Sequence, residues 1–195
     1  PRTKNLGLGI KKLIKKYFSK NYPRLHATTH ELVNKKEIKS LTFVQQKPAL
    51  KLKYKKTEQT HLCLGVKAFS HGHPDRYVMA VLTTILGGNM SSRLFSEVRE
   101  KRGLAYYIKS DINTYFDNGY LVSQAGVDIR KAEEAIKVIL EEYKKVAKVE
   151  KVDKSRKELK RAKEYLKGKM ALGLEDSKSI ASLFVEDLLL EDKIR

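Results

Sequence analysis

Residues 105–127 read AYYIKSDINTYFDNGYLVSQAGV. Tyr and Val alternate with other residues around Asp117-Asn118-Gly119, a turn signal. The stretch therefore predicts an antiparallel hairpin. Immediately upstream, Gly103 closes a short helix whose apolar positions include Leu94, Phe95 and Val98, and Ser91 or Ser92 is placed to cap its start. Before that, Gly87 and Gly88 end a helix running through YVMAVLTTIL, with Pro74 suited to its first turn. Further upstream, LTFVQQ, ALKLKYKK and QTHLCLGVKAF have the pattern of strands. Ile10, Leu13, Ile14, Tyr17 and Phe18 mark an amphipathic N-terminal helix, and a polar connector follows it. Downstream of Asp128, Ala132, Ala135, Ile136, Ile139, Leu140 and Tyr143 form one helical stripe. A second long helix spans about Asp153 to Leu172, with Leu159, Ala162, Leu166 and Met170 inward. A third starts near Asp176 and carries Ile180, Leu183, Phe184 and Leu188. This order predicts an α+β fold, a mostly antiparallel sheet with helices packed on one side. It also divides the chain into residues 1–39, the helix and connector, and residues 40–195, the α+β domain.

The chain of 195 residues carries 41 Lys and Arg against 23 Asp and Glu, a net charge of +18. Such an excess favours polyanions or acidic surfaces. The Lys residues, however, are scattered over the polar faces of every expected helix, and no RNP, KH or zinc-finger signature accompanies them. A basic solvated surface is the simpler reading, and it argues against a nucleic-acid module. No apolar run approaches a membrane span. A single cysteine, Cys63, has no partner within the chain, so a reducing compartment, the cytoplasm, is the expectation. The start PRTKNLG lacks an initiator Met and a signal-peptide core, which points to a processed product or a piece of something longer.

Few groups of residues carry chemistry by spacing alone. His71-Gly72-His73-Pro74-Asp75 matches an H-x-H-x-D zinc pattern, but Arg76 stands where a further metal ligand would follow. His26 and His30 are four apart, yet no Glu lies between them to act as base for a metal-bound water. No metal site is expected in this chain. No Ser/His/Asp set is legible, and GGN lacks the G-K-[ST] of a phosphate loop.

One longer stretch resembles a known family. GGNMSSRLFSEVREKRGLAY, residues 87–106, is similar to the signature of the second, non-metal-binding domain of M16-family metallopeptidases. These are the relatives of pitrilysin, insulin-degrading enzyme and mitochondrial processing peptidase, and the likeness is to the bacterial and archaeal processing-peptidase-like group. It runs from about Thr57 through EQTHLCLG, GHPDRYVMAVL, the signature and DNGYL to AKEYLKGKMALGLEDSKSIAS, in family order. The resemblance implies a LuxS/MPP-like metallohydrolase domain. In that family one domain binds zinc through H-x-x-E-H, and the other supplies an Arg/Tyr pair spaced R-x-x-x-x-x-x-Y, which falls here on Arg99 and Tyr106.

The resemblance thus implies the substrate-binding half of a zinc-dependent endopeptidase. Arg99 and Tyr106 would be its catalytic pair, and Gly87, Gly88, Asn89 and Ser91 would lie along an extended peptide substrate. No cofactor is expected in this chain; zinc belongs to a partner domain or subunit with H-x-x-E-H, which is absent here. The departures are Asn89 in place of a third glycine, a shortened first strand, HATTHE in the connector, and an end at DLLLEDKIR where relatives continue. The last suggests a domain cut short at its C-terminus. Two other functions compete: a non-proteolytic scaffold subunit of the same family, and a basic nucleic-acid-binding module.

Overall fold

The expected hairpin forms in a computed structural model of the chain, which describes residues 45–148 and 152–191. Strand β1 is Thr60–Ala68, β2 is Ala105–Thr114 and β3 is Gly119–Val127. The three make an antiparallel sheet in the order β1-β3-β2, so the second arm of the hairpin is central. The turn between β2 and β3 is closed by the Tyr115 amide donating to the Asn118 carbonyl at 2.8 Å. Gly119 follows because a Cβ there would sit 2.1 Å from the Phe69 carbonyl oxygen, a distance no side chain tolerates.

One face of the sheet is dry. Ile108 from β2 and Leu121, Ala125 and Val127 from β3 pack with Leu86, Leu94, Val98 and Leu104 and with Ala135, Val138 and Ile139. Leu62 and Leu64 of β1 lie against the same core. The other face is open: His61, Cys63, Tyr107 and Lys109 are exposed along it. Period-2 alternation therefore sorts the strands as the pattern predicts, and helices cover one side of the sheet.

Four α-helices are described: α1 (Arg76–Thr83), α2 (Ala132–Lys148), α3 (Val152–Gly173) and α4 (Ser177–Glu191). Helix α1 continues into a wider π-helical turn, Thr84–Gly88, and a second π-helical stretch covers Phe95–Glu100. Pro74 lies just before the helix, ahead of Asp75, rather than in its first turn. Asp176 caps α4 by accepting from the Ser179 amide at 2.9 Å.

The structure corrects several expectations. ALKLKYKK, residues 49–56, joins no ladder among the described residues, and Leu50, Leu52 and Tyr54 are 93%, 88% and 87% exposed. Alternation prepares two faces but does not supply a neighbouring strand. On α2 the buried stripe is Ala135, Val138, Ile139 and Glu142, while Leu140 is exposed. On α3 only Ala162 of the expected four is buried, and Leu159 and Met170 face outward. The reason is that α3 meets the rest of the described fold along one narrow line, at α1 and the glycine corner after it. The N-terminal helix, the connector with His26 and His30, LTFV at 41–44 and the boundary at residue 39 lie outside the described residues.

Candidate active site

The signature stretch folds as two corners flanking a helix. At the first corner Gly87 leaves helical geometry, with φ −157° and ψ 19°. A Cβ at Gly87 would lie 2.4 Å from Ser110 Oγ and 2.6 Å from the Ser110 amide nitrogen, so glycine is dictated by close packing on β2. Gly87 is buried; Gly88 and Asn89 are partly exposed and Ser91 fully so. Asn89 is extended, and its Oδ1 accepts from the Ser91 amide at 2.8 Å. The chain turns on this asparagine, and neither serine caps the next helix through its side chain. Ser92 Oγ is buried without a hydrogen-bond partner.

The second corner is a left-handed glycine closure of the αL type. The Gly103 amide donates to the Arg99 carbonyl at 3.1 Å, and the Leu104 amide donates to the Val98 carbonyl at 2.9 Å. Gly103 has φ +56°, the left-handed conformation such a closure requires. Leu104 and Val98 are both buried, which supplies the apolar clasp that accompanies the motif. This corner fixes the path from Arg99 to Tyr106.

Arg99 is exposed on the last turn of Phe95–Glu100, with its guanidinium 4.9 Å from the centre of the Phe95 ring. It has no ion pair among the described residues. Its acidic neighbour Glu97 is engaged by Lys101 at 2.5 Å and Arg102 at 2.8 Å. The Lys101 hydrogen bond leads in holding the Glu97 carboxyl below its ordinary range. The Arg99 charge therefore has no acidic partner among the described residues and rests on the aromatic face of Phe95.

Tyr106 sits at an irregularity of β2. Ala105 pairs with Val127 and Tyr107 pairs with Gly126, so Tyr106 is the extra residue of a β-bulge. A bulge re-aims the side chain that has no partner, and Tyr106 is 58% exposed. Tyr107 instead lies over Gly126, where a Cβ would come within 2.5 Å of its ring, and its hydroxyl is 3.1 Å from His61 Nδ1. Arg130 lies within electrostatic reach of Tyr106. Asp128 holds Arg130 at 2.9 Å, and that hydrogen bond leads in lowering the Asp128 carboxyl to about 2. Arg99 and Tyr106 thus emerge on either side of the Gly103 turn, both open to solvent and not bonded to each other.

The histidines of HGHPD do not converge. His71 Nδ1 is 3.2 Å from Thr114 Oγ1, and its Nε2 is 3.6 Å from Asp187 of α4. His73 stacks on Phe69 with ring centres 4.0 Å apart, and its Nδ1 accepts from the Asp75 amide. No group of three or more His, Cys, Asp or Glu among the described residues is arranged for a metal. The described residues do not fit zinc.

Sequence reasoning did not pick out three features near this site. Phe95 beneath Arg99 was legible from its i, i+4 spacing. The pairing of Arg93 with Glu158, 2.6 Å at its shortest, joins positions far apart in sequence and had no local signal. The approach of Arg130 to Tyr106 joins positions near opposite ends of the hairpin and likewise had no local signal.

A zinc protease of Bacillus subtilis, described as uncharacterised, is 41% identical over 125 residues, 64% of this chain and 30% of the relative. Another, from Mycobacterium leprae, is 39% identical over 141 residues, 72% of this chain and 31% of the relative. The chain therefore spans about a third of the length of the curated relatives it matches. A protease from Helicobacter pylori has a similar structure, with TM-score 0.64 and 28% identity over 72% of this chain and 33% of that one. A peptidase M16 inactive domain from Pseudomonas fluorescens gives 0.53 at 30% identity, over 57% of this chain and 27% of that one. The family described as the peptidase M16 inactive domain matches residues 9–166, most of the sequence, and the chain belongs to that family.

Proposed function

We propose that this chain is the substrate-binding half of an M16-type zinc-dependent endopeptidase and that Arg99 and Tyr106 act on the peptide bond being cut. The observation that carries this reading is the bulge at Tyr106. It takes an aromatic residue out of a regular strand and leaves it exposed one tight turn away from an arginine that has no ion pair among the described residues.

The zinc of a partner half with H-x-x-E-H would supply the activated water. This chain's part is electrostatic. As amide hydrolysis proceeds, negative charge grows on the carbonyl oxygen, and the Tyr106 hydroxyl donates a hydrogen bond to it. Such a donor strengthens its interaction in the transition state more than in the ground state. The Arg99 guanidinium, a planar fork of donors, holds a neighbouring backbone carbonyl in register. Gly88, Asn89 and Ser91 border the peptide, while the buried Gly87 shapes the corner that presents them.

The test is a fluorogenic-peptide assay of this chain, the zinc-binding half, and the two together with Zn²⁺. Cleavage is expected only in the mixture. Tyr106→Phe should lower kcat about 100- to 1000-fold with little change in KM, the signature of a lost transition-state donor. Arg99→Gln should mainly raise KM. A complex that forms and is inactive, or whose activity ignores both substitutions, would favour a scaffold subunit instead.

A further inference from the structure

A small cavity lies between the first glycine corner and α3. Thr84, Ile85, Asn89, Ser92, Glu158 and Arg161 are among the residues that line it, and its volume is about 20 Å³. That is room for one water-sized group, the tip of a ligand rather than the whole of one.

The cavity's hydrogen-bonding character follows from what its walls have already spent. The Thr84 hydroxyl donates to the Ala80 carbonyl at 2.9 Å, so its proton is taken. Both carboxylate oxygens of Glu158 accept from Arg93: Nε lies 3.1 Å from each, and Nη2 lies 2.6 Å from Oε2. Asn89 Oδ1 accepts from the Ser91 amide, which leaves its Nδ2 to donate. Ser92 is only 4% exposed, and its Oγ has no hydrogen-bond partner among the described residues. A buried hydroxyl left unbonded is costly, and native structures rarely keep one without use. Finally, Arg161 is exposed at the mouth and makes no hydrogen bond or ion pair among the described residues. Arg93 balances the Glu158 charge and Thr84 Oγ is left only to accept, so the donors that remain are the Ser92 hydroxyl and Asn89 Nδ2, beside the Arg161 cation that has no ion pair among the described residues.

We propose that this cavity is a carboxylate subsite. It takes one oxygen of a peptide carboxylate, with the Ser92 hydroxyl and Asn89 Nδ2 donating to that oxygen and Arg161 balancing its charge. A guanidinium with adjacent neutral donors is the arrangement that recognises a carboxylate. The ligand's identity as a peptide rests on the function proposed above; the chemistry of the subsite does not. The carboxylate is either an acidic side chain within the peptide or the peptide's own C-terminus.

Three peptides distinguish these sources when titrated into the full chain by calorimetry, with the Ser92 and Asn89 backbone amides followed by NMR. The first is blocked at both ends and carries one Glu. The second replaces that Glu with Gln. The third is the Gln peptide with a free C-terminal carboxylate. Either the first or the third is expected to bind at least about tenfold more tightly than the second, and to shift the Ser92 and Asn89 resonances. Whichever does so names the source. Arg161→Gln should abolish the preference and Arg161→Lys should keep part of it, with the thermal midpoint unchanged because the side chain is exposed. Ser92→Ala should weaken the preferred peptide alone. Equal affinities for all three peptides, a preference that survives Arg161→Gln, shifts confined to other residues, or no saturable binding would each overturn the subsite. The half-enzyme reading is judged separately, by the Tyr106 cleavage assay. An enzyme that depends on Tyr106 and ignores Arg161 would refute only the subsite.

Discussion

Gly87 has no room for a methyl group. Its neighbour on β2, Ser110, is itself locked: Ser110 Oγ is 2.6 Å from Ser123 Oγ, which is 2.6 Å from the Tyr143 hydroxyl on α2. A Cβ at Gly87 would fall 2.4 Å from the first hydroxyl of that chain and 2.6 Å from a backbone nitrogen that cannot retreat without moving the strand. Gly87→Ala should therefore destabilise the chain by about 1–3 kcal/mol, the usual range for overpacking a close contact. Gly72 is a control in the same chain, since nothing lies within 4 Å of a Cβ there. Gly72→Ala should stay within about 0.5 kcal/mol of the parent. Urea unfolding of the two variants checks both values. Equal stabilities would mean that the corner yields, and that Gly87 serves flexibility rather than packing.

At the scale of elements, α3 is fastened to the signature helix by Arg93 and Glu158, whose side chains are each 15% exposed. The pair is mostly desolvated and bonded through two guanidinium nitrogens, so removing one charge leaves the other without compensation. Glu158→Gln should cost about 2 kcal/mol, and a double-mutant cycle with Arg93→Gln should recover much of that as coupling. If the two losses simply add, other contacts fasten the helix. This tie also shows which parts of the fold the sequence could and could not announce. The hairpin was legible because alternation and Asp117-Asn118-Gly119 are local signals, and the helix end at Gly103 was legible for the same reason. The strand expected over ALKLKYKK was not secured by pattern, because pairing needs a neighbour as well as two faces. Leu140, Leu159 and Met170 were expected inside because periodicity ranks residues around a helix without saying how wide a stripe its neighbours cover. In the candidate site, Arg99 and Tyr106 were found through family resemblance. The bulge that exposes Tyr106 has no one-dimensional mark, and Arg161 comes to the glycine corner only through the packing of α3.

Charge acts on the molecule as a whole. A net charge of +18 on 195 residues produces an attractive field for any polyanion. The described lysines are distributed rather than gathered: Lys51, Lys53, Lys55 and Lys56 lie on the exposed stretch before β1, and Lys137, Lys144 and Lys148 lie on α2. Several are tied to acids, such as Lys137 to Glu133 at 2.8 Å and Lys145 to Glu142 at 2.7 Å. A distributed field neutralises phosphates without reading bases, so whatever affinity it creates depends on counterion release and not on sequence. Duplex DNA should accordingly bind at about 20 mM salt, with the same affinity for unrelated sequences. The complex should weaken at least about 100-fold by about 200 mM salt, as expected when several phosphate contacts are screened. Fluorescence anisotropy with two labelled duplexes over a salt series measures both properties. Tight binding that persisted at 200 mM, or a preference for one duplex, would require a groove-reading surface and would restore the nucleic-acid reading. Sequence-blind binding that salt removes would leave the charge to solubility and to steering acidic ligands toward the peptide path proposed above, where Arg99 and Arg161 stand unpaired among the described residues.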